Sequence, residues 1–314
     1  MALTLAIDLE RWRANLDRYV ADHPDLVPVI KGNGYGVGRA RLHAECARRG
    51  IDEVAVGTVW ELTDVPSGWR AVVLTPCAGP ADAAALTPGA IPTLGSAHHV
   101  DVLRNAGWRG PVLVKLRTSL GRYGVGADDL ASLLWAVERA GLALHGFGIH
   151  FPLDGTDAEH AAELADWLAR LPPQTTVHVG HLDVARQATT SNRLRPRVGT
   201  ALWLGDRDAL HLEADVVDVR AVARRERVGY RAVEIPADGH LVLVGAGTAH
   251  GVTALDDGRS PFHHARTRLA LVEPPHMHTS LCFVAAHDPC PCPGDQVDVQ
   301  RPLTRTVVDR IEER

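Results

Sequence analysis

A lysine at the end of an apolar run is the residue best placed for chemistry. Lys31 follows Val29 and Ile30 directly, and glycines then alternate with other residues over positions 32–38. An amine held at an apolar strand end loses basicity, because burial disfavours the charged form. The neutral amine is the form that makes a Schiff base with an aldehyde. A strand-end lysine that extends into solvent beside a flexible loop is the alternative.

The elements that would position Lys31 are short apolar runs that alternate with amphipathic stretches up to about residue 205. The runs are bounded by Gly or Pro, as is typical of strands buried on both faces, and Asp157–Leu171 carries one apolar helical stripe. About eight such units predict a (β/α)8 barrel, whose active sites lie at the carboxyl ends of the strands. A Rossmann-like sheet is less favoured, since no Gly-x-Gly-x-x-Gly follows the first strand. The predicted strands are Val27–Lys31, Val54–Gly57, Val72–Thr75, Ile91–Leu94, Val112–Arg117, Leu144–His150, Thr176–Val179 and a run near Arg197–Leu202.

From about residue 210 the apolar runs are no longer separated by helical stretches. Turns rich in Gly, Asp, His and Pro separate them instead, which predicts a compact antiparallel β domain. We therefore expect a barrel over residues 1–208 and a β domain over residues 209–314. The predicted strands of the second domain are Val216–Val222, Leu241–Val244, Leu269–Val272, Leu281–Ala286 and Val297–Val299.

Composition narrows the classes of partner. The net charge is −5 and no Lys/Arg run occurs, so neither nucleic acid nor a membrane surface is expected, and a small-molecule substrate is favoured. Acidic residues follow the N-terminus closely and no apolar stretch reaches about 18 residues, which predicts a cytoplasmic protein. The five cysteines are irregularly spaced, and Cys290-x-Cys292 has no second pair, so we predict neither disulfides nor a metal site.

The run around Lys31 resembles the pyridoxal 5′-phosphate (PLP) lysine signature of alanine racemases, a family built on the barrel-type PLP fold. Further blocks in the same order resemble other motifs of that family. On this basis the sequence is identified as a divergent member of the alanine racemase family. The blocks are VKLRTSLGRYG at 114–124, GIHF at 148–151, RPRVGTALW at 195–203 and GDQV at 294–297.

The resemblance implies roles for the residues around the cofactor ring. Lys31 would carry PLP as a Schiff base and move a proton on one face. Arg197 would face the pyridine nitrogen and Arg122 the phenolic oxygen. Lys115 matches a position that is carbamylated in many family members to orient that arginine. His150 matches the site histidine of the family and is expected to support the catalytic groups.

The resemblance also implies how the cofactor phosphate is bound. Tyr35 would reach the phosphate, and Gly199 and Thr200 would offer it backbone N–H groups. The Asn-Ser pair that the family uses for the phosphate aligns with His181-Leu182, which loses a hydroxyl contact. Arg305 is a candidate replacement for a terminal tyrosine of the family.

The chain departs from the family pattern where the second base is expected. Alanine racemases place a tyrosine there from the partner subunit, whereas this chain has Thr248, with His250 at the neighbouring aspartate position. We predict His250 as the second base, because an ordinary imidazole titrates near neutrality; a turn histidine is the alternative. Met277 and His278 match the partner-chain strand that lines the substrate site, with histidine in place of aspartate.

The resemblance implies a PLP-dependent racemase of alanine or another small amino acid, built as a head-to-tail homodimer. The missing tyrosine leaves a second reading open, a PLP-dependent lyase, decarboxylase or transaminase on the same scaffold. A catalytically degenerate PLP-binding paralogue is the third.

Overall fold

The computed structural model describes residues 2–180, 188 and 190–314. The chain divides into two compact units. The barrel unit comprises Leu16–Gly32 and Arg39–Trp203, and the β unit comprises Met1–Asn15, Asn33–Gly38 and Leu204–Arg314. The expected domain boundary near residue 208 stays a prediction.

Strand β1 (Leu3–Ile7) belongs to the β unit, and the barrel unit follows it with eight parallel strands among its described residues. They pair in the order β2-β9-β8-β7-β6-β5-β4-β3. A parallel bridge between Val29 and Ala55 closes the ring, and Ile30 N–H donates to Ala55 O at 2.8 Å. The predicted (β/α)8 barrel is therefore confirmed. The strands are β2 (Val27–Pro28), β3 (Glu53–Val56), β4 (Arg70–Val73), β5 (Ala90–Leu94), β6 (Pro111–Lys115), β7 (Ala143–Ile149), β8 (Thr176–Val179) and β9 (Arg193–Val198).

Helices connect the barrel strands and bury one apolar face each. In α5 the residues Leu130, Leu133 and Val137 are buried at helical spacing. A capping box starts α6, where Thr156 Oγ1 accepts from Glu159 N and the Glu159 carboxylate accepts from Thr156 N at 2.8 Å. Among the described residues, no helix is long and apolar enough to cross a bilayer. The helices are α1 (Leu9–Asp22), α2 (Arg39–Arg48), α3 (Pro80–Ala84), α4 (Ala97–Asn105), α5 (Leu130–Arg139), α6 (Asp157–Leu168) and α7 (Thr200–Trp203), with a 3-10 helix over Val59–Asp64.

The barrel interior combines an apolar cluster with buried polar side chains. Strands β2 to β6 contribute the aliphatic cluster and also the buried Glu53 and Lys115. Strands β7 to β9 contribute histidines and arginines, including His145, His178, Arg195 and Arg197. Buried charge needs partners, so these polar side chains are where chemistry is expected. The apolar cluster consists of Val27, Val29, Ala55, Val72, Ile91 and Leu113.

The β unit is a mainly antiparallel sheet around the long strand β10, as predicted for the C-terminal residues. Its strands run in the order β15-β14-β18-β10-β13-β17-β16. Strand β1 pairs antiparallel with β10 and parallel with β19, while β11 and β12 form a separate hairpin. The strands are β10 (Leu210–Val222), β11 (Arg227–Val228), β12 (Val233–Glu234), β13 (Gly239–Val244), β14 (Phe262–His264), β15 (Thr267–Arg268), β16 (Ala270–Leu271), β17 (Ser280–Ala285), β18 (Gln296–Val299) and β19 (Arg310–Glu313).

Candidate active site

Lys31 stands directly after the bridge that closes the barrel, and its side chain is exposed, so the burial expected for this amine from the sequence is wrong. One carboxylate fixes the backbone around it. Glu61 Oε1 accepts from Gly32 N–H at 2.9 Å, and its Oε2 accepts from Gly57 N–H at 2.6 Å. Gly57 faces the lysine closely, since a Cβ added there would lie 3.3 Å from Lys31 Cβ. Glu61 therefore holds the segment that presents Lys31, a role that its sequence context does not signal.

The chain contains two lysines, and they occupy opposite environments. Lys31 is exposed, whereas Lys115, the last residue of β6, is 5% exposed. Burial is the main cause that lowers the pKa of Lys115 to about 7, with the charges of Arg197 and Arg122 adding to it and Glu163 opposing it. Lys115 Nζ donates one hydrogen bond to Leu116 O at 3.2 Å. Near neutral pH a large fraction of this buried amine is therefore uncharged.

Two arginines, Arg197 and Arg122, interact electrostatically with Lys115. Arg197 lies on β9, and its Nη2 donates to Ile149 O at 2.9 Å. Burial lowers the pKa of Arg197 to about 10, so the guanidinium stays charged at neutral pH. Arg122 lies in the exposed segment that follows β6, with its guanidinium carbon 5.8 Å from the centre of the Tyr123 ring. The carboxyl end of the barrel thus carries concentrated positive charge suited to an anionic ligand.

The segment that carries Arg122 is tied to the barrel by side chains. Ser119 donates to the Glu163 carboxylate of α6 through N–H at 2.7 Å and Oγ at 2.8 Å. Thr118 Oγ1 donates to His150 O at 2.5 Å. Val125 pairs back to the strand end, donating to Lys115 O at 2.8 Å. These contacts hold both ends of the Arg122 segment. The sequence motif identified the segment itself, but it gave no sign that Glu163 anchors it.

Tyr123 is a further site residue that motif reasoning missed. Its hydroxyl donates to Leu74 O at 2.6 Å, directly beyond the end of β4. Burial raises the pKa of this phenol, while Arg122 and Arg197 act to lower it. The phenol is therefore a neutral hydrogen-bond donor that fixes the ring beside Arg122.

The remaining predicted residues of the barrel unit also lie beyond strand ends. His150 follows β7, and a Cβ at Gly180 would clash with its Nδ1, so glycine is required beside this ring. Gly199 and Thr200 begin α7, where Leu202 and Trp203 donate to Gly199 O at 3.1 and 3.0 Å. The first N–H groups of a helix have no intrahelical partner, which leaves these amides able to bind an anion.

The phosphate candidate Tyr35 belongs to the β unit. Its side chain is 6% exposed, and its backbone has a φ of 57°, which is rare for a tyrosine and indicates a constrained loop. Asn33 anchors this loop, since its Nδ2 donates to Leu303 O and Thr306 O at 2.8 Å each. Gly36 packs so closely on Leu303 that a Cβ would lie 2.8 Å away. His181-Leu182 lies outside the described residues.

The β unit brings its own predicted residues together. Thr248 begins a 3-10 turn that ends at Gly251 with a φ of 74°, and Thr248 N–H donates to His276 O at 2.8 Å. The ring centres of His250 and His278 are 6.0 Å apart, and Met277 is 66% exposed. Both nitrogens of the buried His250 are engaged, because Nδ1 accepts from Gly247 N–H at 3.1 Å and Nε2 lies 3.1 Å from Asp309 Oδ2. His278 is the exposed imidazole of the pair.

A family model described as the N-terminal domain of alanine racemase matches residues 7–205. The match covers most of the chain, including all the barrel-unit residues described above. The chain belongs to the alanine racemase family. The alanine racemase of Mycobacterium bovis is 29% identical over 272 residues, 76% of this chain and 70% of that protein. Alanine racemase 2 of Caldanaerobacter subterraneus is 26% identical over 244 residues, 68% and 63% of the two chains.

Solved alanine racemases share the fold of the whole chain. The enzyme of Bartonella henselae, described with covalently bound pyridoxal phosphate, matches with a TM-score of 0.78 at 19% identity and covers 100% of this chain and 99% of its own. The enzyme of Streptomyces lavendulae matches with a TM-score of 0.77 at 20% identity over 100% and 97% of the two chains. At these identities the likeness establishes the alanine racemase fold, while the roles of the site residues stay predictions.

Proposed function

We propose that this protein is a PLP-dependent amino-acid racemase, with alanine or another small amino acid as substrate. The observation that carries the proposal is the contrast between its two lysines at the barrel's carboxyl end. Lys31 is the accessible amine, whereas Lys115 is buried with Arg122 and Arg197 in its field. The exposed amine matches the cofactor's aldehyde, and the guanidinium groups match its phenolic oxygen and ring nitrogen. PLP is the cofactor that this set of residues fits.

When bound, PLP withdraws electrons from the substrate Cα and so acidifies its proton. Lys31 would hold the cofactor through its Nζ and, once released by substrate, would take or return the α-proton on one face. Arg197 can only donate hydrogen bonds and stays charged, so it would favour an unprotonated ring nitrogen in a bound cofactor. Such a ring would withdraw electrons less strongly, which would disfavour side reactions such as transamination. Arg122 would hold the phenolic oxygen.

Lys115 would assist through its neutral amine. An uncharged amine adds to carbon dioxide, giving a carbamate and releasing one proton. The carbamate would place a negative charge beside Arg122 and orient that guanidinium. The lowered pKa of Lys115 supports this step, because a fully protonated lysine has no lone pair to react.

A racemase also needs a proton-transferring group on the second face, and we propose the pair formed by His250 and His278. His250 is buried and held by Gly247 and Asp309, which suits it to fixing the turn. His278 is exposed beside it, which suits it to exchanging protons with substrate. In the family this region serves the partner's site, so the functional unit would be a head-to-tail homodimer.

One-faced chemistry on the same scaffold is the second candidate. Thr248 stands where the family has its tyrosine, and a threonine hydroxyl is a poor base. A lyase, decarboxylase or transaminase needs only Lys31 at the Cα.

Borohydride reduction tests the covalent attachment of the cofactor. PLP-loaded protein is reduced, digested and mapped by mass spectrometry, and parallel samples are assayed with L- and D-alanine by chiral chromatography. We expect the pyridoxyl group on Lys31 and interconversion of the enantiomers. Modification of Lys115 alone, or loss of substrate carbon or nitrogen without inversion, would contradict the proposal.

A further inference from the structure

Three side chains able to bind a metal meet inside the barrel. Glu53 opens β3, His145 lies near the start of β7, and His178 lies on β8. Their ligand atoms all lie within 4.8 Å of one another, and His145 Nε2 is 3.9 Å from Glu53 Oε1. In the closed order of strands, β3 stands across the ring from β7 and β8. The three side chains therefore converge through the interior of the barrel.

The histidines of this cluster have unused nitrogens. His178 is fully buried, and neither of its ring nitrogens has a hydrogen-bond partner among the described residues. His145 Nε2 also lacks one among them, and the two ring centres are 5.5 Å apart. A buried polar atom without a partner costs about 1–3 kcal/mol, so such atoms mark places where a ligand belongs.

Burial disfavours the charged form of both histidines in this cluster. Burial lowers the pKa of His178 well below its ordinary value, and Arg197 and Arg195 add to the effect. Burial also lowers the pKa of His145, against the opposing influence of Glu53. An imidazole binds a cation through the lone pair of an unprotonated ring nitrogen.

Two arginines determine how Glu53 is able to ligate. Arg195 Nη1 hydrogen-bonds to Glu53 Oε1, and its side chain is 12% exposed. Arg70 Nη2 lies 2.6 Å from Oε2, yet Oε2 makes no hydrogen bond of acceptable geometry, and the Arg70 side chain is 56% exposed. Arg195 thus resembles the outer hydrogen-bond donor that ligating carboxylates usually have. Arg70 is a competitor that is free to turn into solvent when a cation takes Oε2.

We propose that Glu53, His145 and His178 form a binding site for one divalent transition-metal ion, with zinc the best match. Two imidazoles and one carboxylate are a known zinc ligand set that leaves the fourth position for water. Tetrahedral zinc at about 2.0–2.2 Å from each ligand brings the ligand atoms to about 3.3–3.6 Å apart, so the cluster has to contract slightly. The proposed ligands are residues other than Lys31, Arg122 and Arg197, although the charge of Arg197 reaches His178, and metal binding by them does not depend on racemase activity.

The test is zinc binding by tag-free, chelator-treated full-length protein, followed by isothermal calorimetry, elemental analysis and thermal unfolding. Cobalt(II) substitutes for zinc to give a visible d–d spectrum that reports four-coordinate geometry. We expect one ion per chain and an unfolding temperature that rises with zinc concentration. H178Q should weaken binding by at least about 100-fold. R70Q should strengthen it by about tenfold or more, because a nearby like charge is removed.

Three controls locate the ion. H43Q alters a buried histidine of α2 whose ring nitrogens also lack hydrogen-bond partners within the described part of the chain, and it should leave zinc affinity unchanged. H278Q and C292S each remove one exposed side chain of the β unit that is able to bind zinc, and both should also leave the affinity unchanged. Absence of zinc binding, or equal affinity in wild type, H178Q and R70Q, would overturn the proposal. R70Q tests the site even if H178Q fails to fold. It changes an exposed side chain, and it is expected to strengthen zinc binding rather than weaken it.

Discussion

At the scale of single residues, the two lysines differ in their exposure and in the groups that surround them. Lys31 is exposed and fixed through Gly32 and Gly57 by Glu61. Lys115 is buried, with a pKa of about 7. One amine is therefore placed to hold a cofactor, and the other to act as a buried, titratable support.

Replacing Lys31 tests the first of these roles. Lys31→Ala should abolish the visible absorbance of the covalently held cofactor and lower kcat by at least about 10³-fold, because both attachment and proton transfer are lost. Lys115→Met is the matched control and should keep the covalent attachment. Absorbance spectra of both purified variants, titrated with PLP, make the comparison, and an unchanged Lys31→Ala spectrum would refute the role.

Lys115 should make stability depend on pH. Its folded pKa is lowered from 10.5 to about 7, so between these values the unfolded chain binds more protons than the folded one. Stability from this group therefore rises with pH above about 7, by up to about 1.4 kcal/mol for each pH unit. Urea unfolding of wild type and Lys115→Met, in buffers free of carbon dioxide, isolates the contribution as a difference.

In that comparison the variant should be relatively more stable at pH 7 and below. The difference should then shrink as the pH rises towards 10. Burial also raises the pKa of Cys46 and Cys282 to about 12, which lowers stability above pH 9 in both proteins and cancels. A difference that stays constant with pH would show that Lys115 is not desolvated.

His250 and His278 of the β unit should have different functions. His278→Gln should slow α-proton exchange from one enantiomer far more than from the other, since it serves one face of the substrate. His250→Gln should instead lower the free energy of unfolding by about 1–3 kcal/mol, because Gly247 N–H loses its buried acceptor. Exchange rates by proton NMR and urea unfolding separate the two effects. Equal loss from both enantiomers in His278→Gln would exclude it as the second base.

At the scale of elements, the segment after β6 decides whether Arg122 is in place. Glu163 of α6 holds Ser119 twice, while the segment's other end pairs with β6. Glu163→Ala should therefore weaken PLP binding by roughly tenfold or more, since small misplacement of a positioning group is costly. Asp166→Ala, which alters an exposed residue on the same helix, is the control. Fluorescence titration with PLP measures both, and equal affinities would show that the segment needs no such anchor.

The elements themselves were largely predictable, because buried parallel strands are apolar throughout and end at Gly or Pro. The helix expected at Asp157–Leu171 is observed at Asp157–Leu168, and its capping box is visible in the sequence. Strand β1 was not identified, since its place in the β unit depends on pairing with Leu210–Val222 and Arg310–Glu313, hundreds of residues away. Local patterns carry no information about such partners.

The residues of the candidate site also differ in how far the sequence predicts them. Lys31, Arg122 and Arg197 were predicted because they stand in motifs with a recognisable order, and their roles stay predictions. Glu61 and Glu163 act through backbone and hydroxyl contacts that only the folded chain creates. The cluster around His178 likewise draws on residues far apart in sequence, which no ligand-spacing rule detects.

At the scale of the whole molecule, the predicted residues fall into two groups, one in each unit. His250 and His278, the residues proposed for the second face of the substrate, lie in the β unit. In the family this region serves the site of the partner subunit. We therefore expect a homodimer of twice the chain mass of 33.8 kDa, with specific activity that falls on dilution as dimers dissociate. Light scattering coupled to gel filtration and activity at serial dilutions test this. A fully active monomer would contradict the shared-site account.

The most direct test of the central claim follows the substrate α-proton in D₂O. PLP-loaded protein is incubated with L- and D-alanine and a panel of other small amino acids, while proton NMR and chiral chromatography record exchange and configuration. The racemase account predicts α-proton exchange accompanied by loss of configuration, starting from either enantiomer. Exchange with full retention, or loss of substrate carbon or nitrogen, would contradict it and assign one-faced chemistry to Lys31.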